Sequence, residues 1–516
     1  MKDTPASHSA RADRSSEFGY WRLEFFRRRR TLLFSLALLA AGAAAARADV
    51  LTLENTIRLA LENNRSIKVD NYSRAIARAN LLTAYGQFEP AVGFGRSYNQ
   101  TYSASFASTD TGFLPVSTFI QADNYNASFG GLTPWGLQYS LGGTATNQRG
   151  PYNGFTNNFL TFAGVQVRQP LLRGFGLGAN LLGVRVARAD RRISEWQYRQ
   201  TVIDTVTNVT VAYSNLVAAH EVLRIAIKSR DLAAGLLAEN RRRAQVGSMS
   251  ENDVTSARAR TALREEAILF ATQAVRDSDN QLRLLMGEDA FAVDGPFLEV
   301  AAPAAPGIAA HPAEDLKQAY ELRPDYQQAR LGMDKARYNS SAARNQMLPQ
   351  VDFVGSYGYT GLDQDFAESR RLVSDRDHRA FSAGVVVSVP LTLMEGRGRA
   401  RAAKLQFRQA EADVKRLEES IALAIASAAG QIDTTARRVA AASAAVALTQ
   451  QSLDEEIKKL RAGVSSTFNV LYIQDQLAGA ENSFIQAQAD QRRAAAAYER
   501  ESGTTLLRNQ ITLSER

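Results

Sequence analysis

Pro170-Leu-Leu-Arg-Gly-Phe-Gly-Leu-Gly178 and Pro390-Leu-Thr-Leu-Met-Glu-Gly-Arg-Gly398 are two versions of one junction. Each follows a stretch of alternating side chains and precedes a long stretch without proline. Moving outward, residues 57–98 align with 316–357, placing Ala60 on Ala319, Pro90 on Pro349 and Tyr98 on Tyr357. Residues 247–287 align with 463–503, placing Gly247 on Gly463 and Gly287 on Gly503. A plan that recurs in the same order over this distance means two tandem halves. The middle is 39 residues longer in the first half, because Pro90 to Pro170 spans 80 residues and Pro349 to Pro390 spans 41.

These middles differ chemically from their surroundings. Residues 91–170 hold only five charged side chains, about 6% against 22% for the whole chain. Val92, Phe94, Tyr98 and Tyr102 share one parity, and Gly93, Gly95, Ser97, Asn99 and Thr101 the other. Val351, Phe353, Tyr357 and Tyr359, then Phe381, Ala383, Val385 and Val387, repeat the pattern in the second half. Period-two alternation predicts strands. Both a soluble sandwich and a lipid-facing barrel wall fit it. Few charges, many aromatics and a small-polar second face suit the barrel wall better. The extra length adds strand-like stretches near Tyr125–Phe129 and Trp135–Leu141, read as longer strands with a large loop.

The stretches after each junction predict very long helices. Residues 179–246 and 399–462 lack proline, and 68 residues of helix extend ~100 Å at 1.5 Å each. Val206, Tyr213, His220 and Ile227 form one heptad row, with Val209, Leu216, Leu223 and Leu237 beside it. Each long helix is followed by a short turn and a second helix of roughly 35 residues. Dense alanine, as in 436–447, permits close packing on more than one side.

Composition narrows the function classes. There is no cysteine, which removes disulfides, thiolate metal sites and a cysteine nucleophile. The net charge of +8 falls to +3 without residues 1–48, so it gives no argument for a nucleic-acid partner. Arg27 to Arg30, an apolar run over 31–46 and Ala46-Arg47-Ala48 read as a secretory signal; the other reading is an uncleaved anchor helix. The domain plan is a signal at 1–48, a first repeat at 49–300 with strands within 91–169, a linker at 301–313, a second repeat at 314–505 with strands within 350–390, and a tail at 506–516.

Two strands per half leave open edges that lipid cannot satisfy, so several copies must pool their strands. Three copies of four strands would give a 12-stranded barrel, within the range of outer-membrane barrels. The chain resembles the TolC-type outer-membrane efflux proteins. The resemblance rests on Leu51-Thr-Leu-Glu-Asn-Thr-Ile-Arg-Leu-Ala-Leu-Glu-Asn-Asn64, on Gln169-Pro-Leu-Leu-Arg-Gly-Phe-Gly176, and on the paired helix-turn-helix tips. It covers roughly residues 50–505. It implies a mainly α-helical homotrimer with a 12-stranded transmembrane β-barrel in the outer membrane, continued by a periplasmic helical tunnel. It also implies a passive exit duct that docks a periplasmic adaptor and an inner-membrane pump, in tripartite efflux or type I secretion.

In that family the turn between the paired helices closes the tunnel and meets the adaptor. Here those turns are Gly247, Ser248, Met249 and Ser250, and Gly463, Val464, Ser465 and Ser466. A plain hairpin turn would use glycine as well. Acidic residues ring the constriction in better-known members, and the aligned positions here are Asn469 and Tyr472. Asp253 pairs with Asn469 in the repeat. It is either a ring of three carboxylates in the trimer or a solvated helix-start residue.

Enzyme-like signals are weak. Gly174-Phe-Gly176-Leu-Gly-Ala179 mimics a dinucleotide loop, but the helix after it is too long for a βαβ crossover. His220 falls in a core row. His378 with Asp375 and Asp377 reads as a solvated loop rather than a metal site. Arg241, Arg242 and Arg243 suit a helix C-terminus. No catalytic triad, cofactor or metal is expected. A pore-free coiled-coil scaffold or adhesin, and an exported hydrolase, are the competing classes.

Overall fold

The computed structural model describes residues 50–109, 112–287, 296–304 and 307–513, with backbone alone at 103–118 and 152. The expected signal at 1–48 lies outside the described residues, as do residues 305 and 306 of the expected linker. Two units are distinguished, a small one containing Leu51 and Leu298–Ala301, and a large one holding the rest of the described chain. In the small unit Leu51 forms one parallel bridge with Val300.

The large unit begins with α1 (Leu53–Asn63) and α2 (Arg65–Gly86). Four strands follow: β1 (Ala91–Thr109), β2 (Gly112–Leu132), β3 (Gln138–Arg149) and β4 (Phe159–Pro170). A short α3 (Leu177–Asn180) leads into α4 (Leu182–Gln245), which turns into α5 (Glu251–Met286). The second round has α6 (Pro312–Leu322), α7 (Pro324–Gln346) and β5 (Gln350–Asp363). It continues with α8 (Phe366–Asp375), β6 (Arg379–Ser388), α9 (Met394–Arg461), α10 (Thr467–Ser502) and α11 (Thr505–Arg508).

The strand count departs from expectation. Six strands, not four, form one antiparallel meander in chain order from β1 to β6. The extra length of the first half is therefore an added pair of strands in place of the expected large loop, while the expected longer strands are present in β1 and β2, 19 and 21 residues against 14 and 10 in β5 and β6. Its turn is set locally: Thr133 N–H donates to the Leu137 carbonyl (2.8 Å), the Leu137 N–H donates to Thr133 Oγ1 (3.0 Å), and Gly136 takes φ +101°. A second departure lies between β5 and β6. The charged loop expected there contains helix α8, started by Asp365, whose side chain accepts from the Ala367 N–H at 2.7 Å.

The register sorts the side chains onto two faces. One row runs across all six strands: Val92, Phe129, Leu141, Val165, Tyr357 and Phe381. All six are apolar or aromatic and 37–75% exposed. The opposite face carries Ser128, Gly142, Gly164 and Gly358 in one row. A methyl on Gly142, Gly164 or Gly358 would meet the carbonyl oxygen of a neighbouring strand at 2.2–2.4 Å. Such crowding admits only small residues here, and because a small-polar face suits the inside of a barrel we label this face inner. Arg168 pairs with the buried Asp352 on this inner face at 2.6 Å.

Each helical hairpin buries an apolar seam. Val202, Val206, Val209, Tyr213 and Leu216 of α4 are buried, as are Val275, Leu282 and Met286 of α5. The expected heptad rows hold through Leu216. Beyond it Leu237 still keeps its row, but burial otherwise passes to Ile225 and Ala233 while Ile227 is exposed, the drift of a 3.6-residue helix against a seven-residue repeat. The shorter helices are stacked end to end with short joints. Asn64 Oδ1 accepts from Ser66 N–H (2.9 Å) to start α2, and its Nδ2 donates to the Leu285 carbonyl (2.8 Å) that ends α5. Arg323 does the same work between α6, α7 and α10, donating to the Glu501 carbonyl (2.8 Å) and to Asp325 (2.7 Å). Each hairpin thus presents one continuous long helix and one jointed rod.

Tyr498 lies in the cluster of Ala319, Tyr326, Ile421 and Ile425 and donates its hydroxyl to Asp315. Burial, then that carboxylate, push the Tyr498 hydroxyl up to about 12. The fold prefers the neutral phenol, whose pKa in an unfolded chain is about 10. Its stabilising contribution is complete below pH ~10 and disappears as pH rises through about 12. Thermal unfolding midpoints should therefore favour the natural chain over Tyr498→Phe at pH 8, with the difference narrowing above pH ~10.

Candidate functional site

The two hairpin turns are built alike. At residues 246–250 the Gly247 N–H donates to the Ala244 carbonyl (3.0 Å) and the Ser248 N–H to the Arg243 carbonyl (2.9 Å), closing α4. Gly247 takes φ +77°, a conformation that costs glycine little. Ser250 starts α5 by accepting from the Asn252 N–H (3.1 Å). At residues 462–466 the Gly463 and Val464 N–H groups donate to the Leu460 and Lys459 carbonyls (3.2 and 3.1 Å), and Gly463 takes φ +79°. Ser466 starts α10 by accepting from the Asn469 N–H (3.4 Å).

The tips carry exposed apolar side chains. Val246 and Val464 are 78% and 76% exposed, with small hydroxyls beside them. Ser465 donates to Glu456, and this bond, with the Lys459 ammonium, holds the Glu456 carboxyl below its usual range. Met249 is half-buried, and Asp253 is exposed in the first turn of α5, where a carboxylate favours the helix start. Asn469 Nδ2 reaches Ser465 Oγ at 3.5 Å. Tyr472 is exposed and stacks on Phe468, ring centroids 6.5 Å apart and planes 10° apart.

Two features here escaped the sequence reading. Phe468 was not singled out, although its i, i+4 spacing to Tyr472 on one helix face was visible. The second is an ion cluster above the tips: Arg260 (2.5 Å) and Arg264 of α5 both pair with Asp475 of α10. Burial and the neighbouring Arg260 charge lower the Arg264 pKa. The cluster ties the two return helices together. Its Arg-x-x-x-Arg spacing was legible, its partner was not.

The weaker signals resolve into structure. The glycine loop spends its polar groups on its own chain: Asn180 Nδ2 donates to the Gly174 and Gly176 carbonyls (2.8 and 3.0 Å), and the Gly174 N–H donates to Asn345 Oδ1 (2.8 Å). His220 packs edge-on against Phe297. The His378 carbonyl accepts from the Thr360 N–H (2.9 Å), and Asp375 pairs with Arg371. Among the described residues no group of three metal-ligating side chains is close enough to hold a metal ion. Arg242 and Arg243 pair with Glu239.

Comparison with known proteins gives one consistent result. The profile of the outer membrane efflux protein family fits residues 133–288 and 316–503. The outer membrane efflux protein BepC of Brucella suis is 25% identical over 337 residues, 63% of this chain and 68% of that protein. The fusaric acid resistance protein FusA of Burkholderia cepacia is 28% identical over 218 residues, 42% of this chain but only 37% of that protein. Among solved structures, the outer-membrane channel OprN superposes with TM-score 0.66 at 17% identity, covering 88% of this chain and 90% of its own. The Campylobacter jejuni channel CmeC superposes with TM-score 0.65 at 15% identity, covering 88% and 86%.

The space around the Gly247 and Gly463 α-carbons is open, so alanine there meets only the left-handed backbone cost of about 1–2 kcal/mol. Gly463→Ala should raise amide hydrogen exchange at residues 462–466 roughly fivefold or more. Exchange in the α9 and α10 interiors should stay unchanged.

Proposed function

The chain belongs to the outer membrane efflux protein family, non-enzymatic channels of the outer membrane with periplasmic helices, and from that premise we propose that it works as a homotrimeric exit duct. In this reading the curved sheets of three copies join into a barrel in outer-membrane lipid, and the helical hairpins form a periplasmic tunnel. The tips at 247–250 and 463–466 dock a periplasmic adaptor that links the duct to an inner-membrane pump, in tripartite efflux or type I secretion.

The observation that carries the reading is the exposed apolar row across all six strands, on a sheet whose β1 and β6 edges have no strand partner among the described residues. A water-soluble scaffold or adhesin would leave that row in water, where contiguous apolar surface is unfavourable. Helix α9 supports association as well, since it leaves Leu405, Leu423 and Leu448 exposed along its length. At the constriction, the symmetric trimer would bring three Tyr472–Phe468 stacks and three Asp253 carboxylates toward the axis. We take Tyr472 and Asn469 as the narrowing side chains and Asp253 as a helix-start acid.

Purified protein added to a planar bilayer should give ion conductance in discrete steps; a pore-free scaffold would give none. Cysteine placed at Ser248 or Ser465, in a chain with no cysteine of its own, should crosslink in cells to a periplasmic adaptor. Capture of no adaptor from either position would remove the docking role.

A further inference from the structure

The β2–β3 hairpin has no counterpart in the second half, yet it is built as wall. Its residues Phe129 and Leu141 continue the exposed apolar row between Val92 and Val165. Gly142 continues the crowded inner row, with a methyl there 2.2 Å from the Ala127 carbonyl oxygen. The hairpin therefore shares both the outer chemistry and the curvature of its neighbours.

Its near turn is seated at the junction where strands give way to helices. The Gly176 N–H donates to the Trp135 carbonyl at 3.1 Å. A methyl on Gly136 would lie 2.7 Å from Asn180 Nδ2 and 2.8 Å from the Gly174 carbonyl. An external loop folded over the sheet would not reach this end. The turn residues and the junction loop are fitted to each other.

We propose that this hairpin is part of the membrane wall, so that three copies close an 18-stranded barrel in which β1 of each copy pairs along β6 of the next. The occupant of each free edge is thus a second copy of this chain. The pairing is consistent in direction: an even number of antiparallel strands leaves β1 antiparallel to the β6 it meets. It also satisfies both rows of edge amides and carbonyls, which lipid cannot do. The strand total rests on the homotrimer proposed above.

Perimeters agree with this total. Strands about 4.8 Å apart and tilted about 40° each occupy roughly 6 Å of circumference. Eighteen make a wall roughly 110 Å around, and 12 make one of roughly 75 Å. Each chain supplies four helical rods to the tunnel, namely α4, α9 and the two jointed rods. Twelve rods spaced 8–10 Å apart take roughly 95–120 Å. Eighteen strands give a wall whose girth lies within the range of the helical tube. The added hairpin widens the barrel from a diameter of roughly 24 Å to roughly 35 Å.

The test uses the full chain in lipid nanodiscs. Native mass spectrometry gives the copy number, and electron cryo-microscopy counts the strands. Val92→Cys with Val165→Cys lies in one row but three strands apart, roughly 14 Å, beyond disulfide reach. Leu141→Cys with Val165→Cys is the adjacent-strand control. Three copies, 18 strands, a control disulfide and no Val92–Val165 disulfide are expected. A Val92→Cys scan against Phe381, Ala383, Val385 and Val387 should then link neighbouring chains. A three-copy particle with 12 strands, a Val92–Val165 disulfide, or no interchain link in the scan overturns the hairpin assignment and leaves the duct intact. A copy number other than three overturns the trimer, and the strand total with it.

Discussion

Backbone amides and carbonyls at the rim of a sheet need partners, and hydrocarbon has none to offer. In this chain that demand falls on the outer edges of β1 and β6. Everything else is arranged around it. In the proposed barrel the row from Val92 to Phe381 meets lipid, the glycines let neighbouring strands approach closely, and the two unmatched edges make the single chain an incomplete object. In that reading assembly is a requirement of solvation, not an addition to a finished fold.

The passage from sheet to helix is the second governing feature. At both junctions a proline ends the strand region, and a tight, irregular segment precedes the long helix. Gly174 and Gly176 adopt positive φ there, and Leu393, the counterpart of Arg173, does so in the second half. Leu393 has a side chain and still takes φ +50°, so the turn is imposed by its surroundings more than by residue preference. Asn180 and Asn345 satisfy the first junction's polar groups. Those groups are consequently taken up by the fold, and the glycine pattern marks a bend instead of a phosphate site.

The long helices, their turns and the alternating strands were legible because each depends on neighbours in sequence. Periodicity located α4 and α9 to within a few residues of their ends, and the glycines at 247 and 463 marked the reversals. The number of strands was harder to read. Tyr125 to Phe129 and Trp135 to Leu141 were visible as strand-like stretches. Their place in the wall, however, depends on Gly142 against Ala127 and Gly136 against Gly174, contacts between distant or unrepeated segments. The Asp475 pairing was invisible for the same reason, with its arginines more than 200 residues away on another hairpin. Helix α8 was hidden by its charge, since a short helix with four charged residues in ten resembles a solvated loop until Asp365 is seen to start it.

The end-to-end joints at Asn64 and Arg323 have a mechanical meaning. Each hairpin sets an unbroken helix beside a rod interrupted partway, where Gly287 packs against Asn63 and Gly503 against Leu322. An interrupted rod transmits compression across its joint but resists bending weakly, because only a few hydrogen bonds cross it. The lower segments α5 and α10 thus meet α2 and α7 across capped, packed seams instead of through one continuous helical ladder. A rod jointed in this way carries axial load between the tips and the strands with less bending stiffness than an unbroken helix.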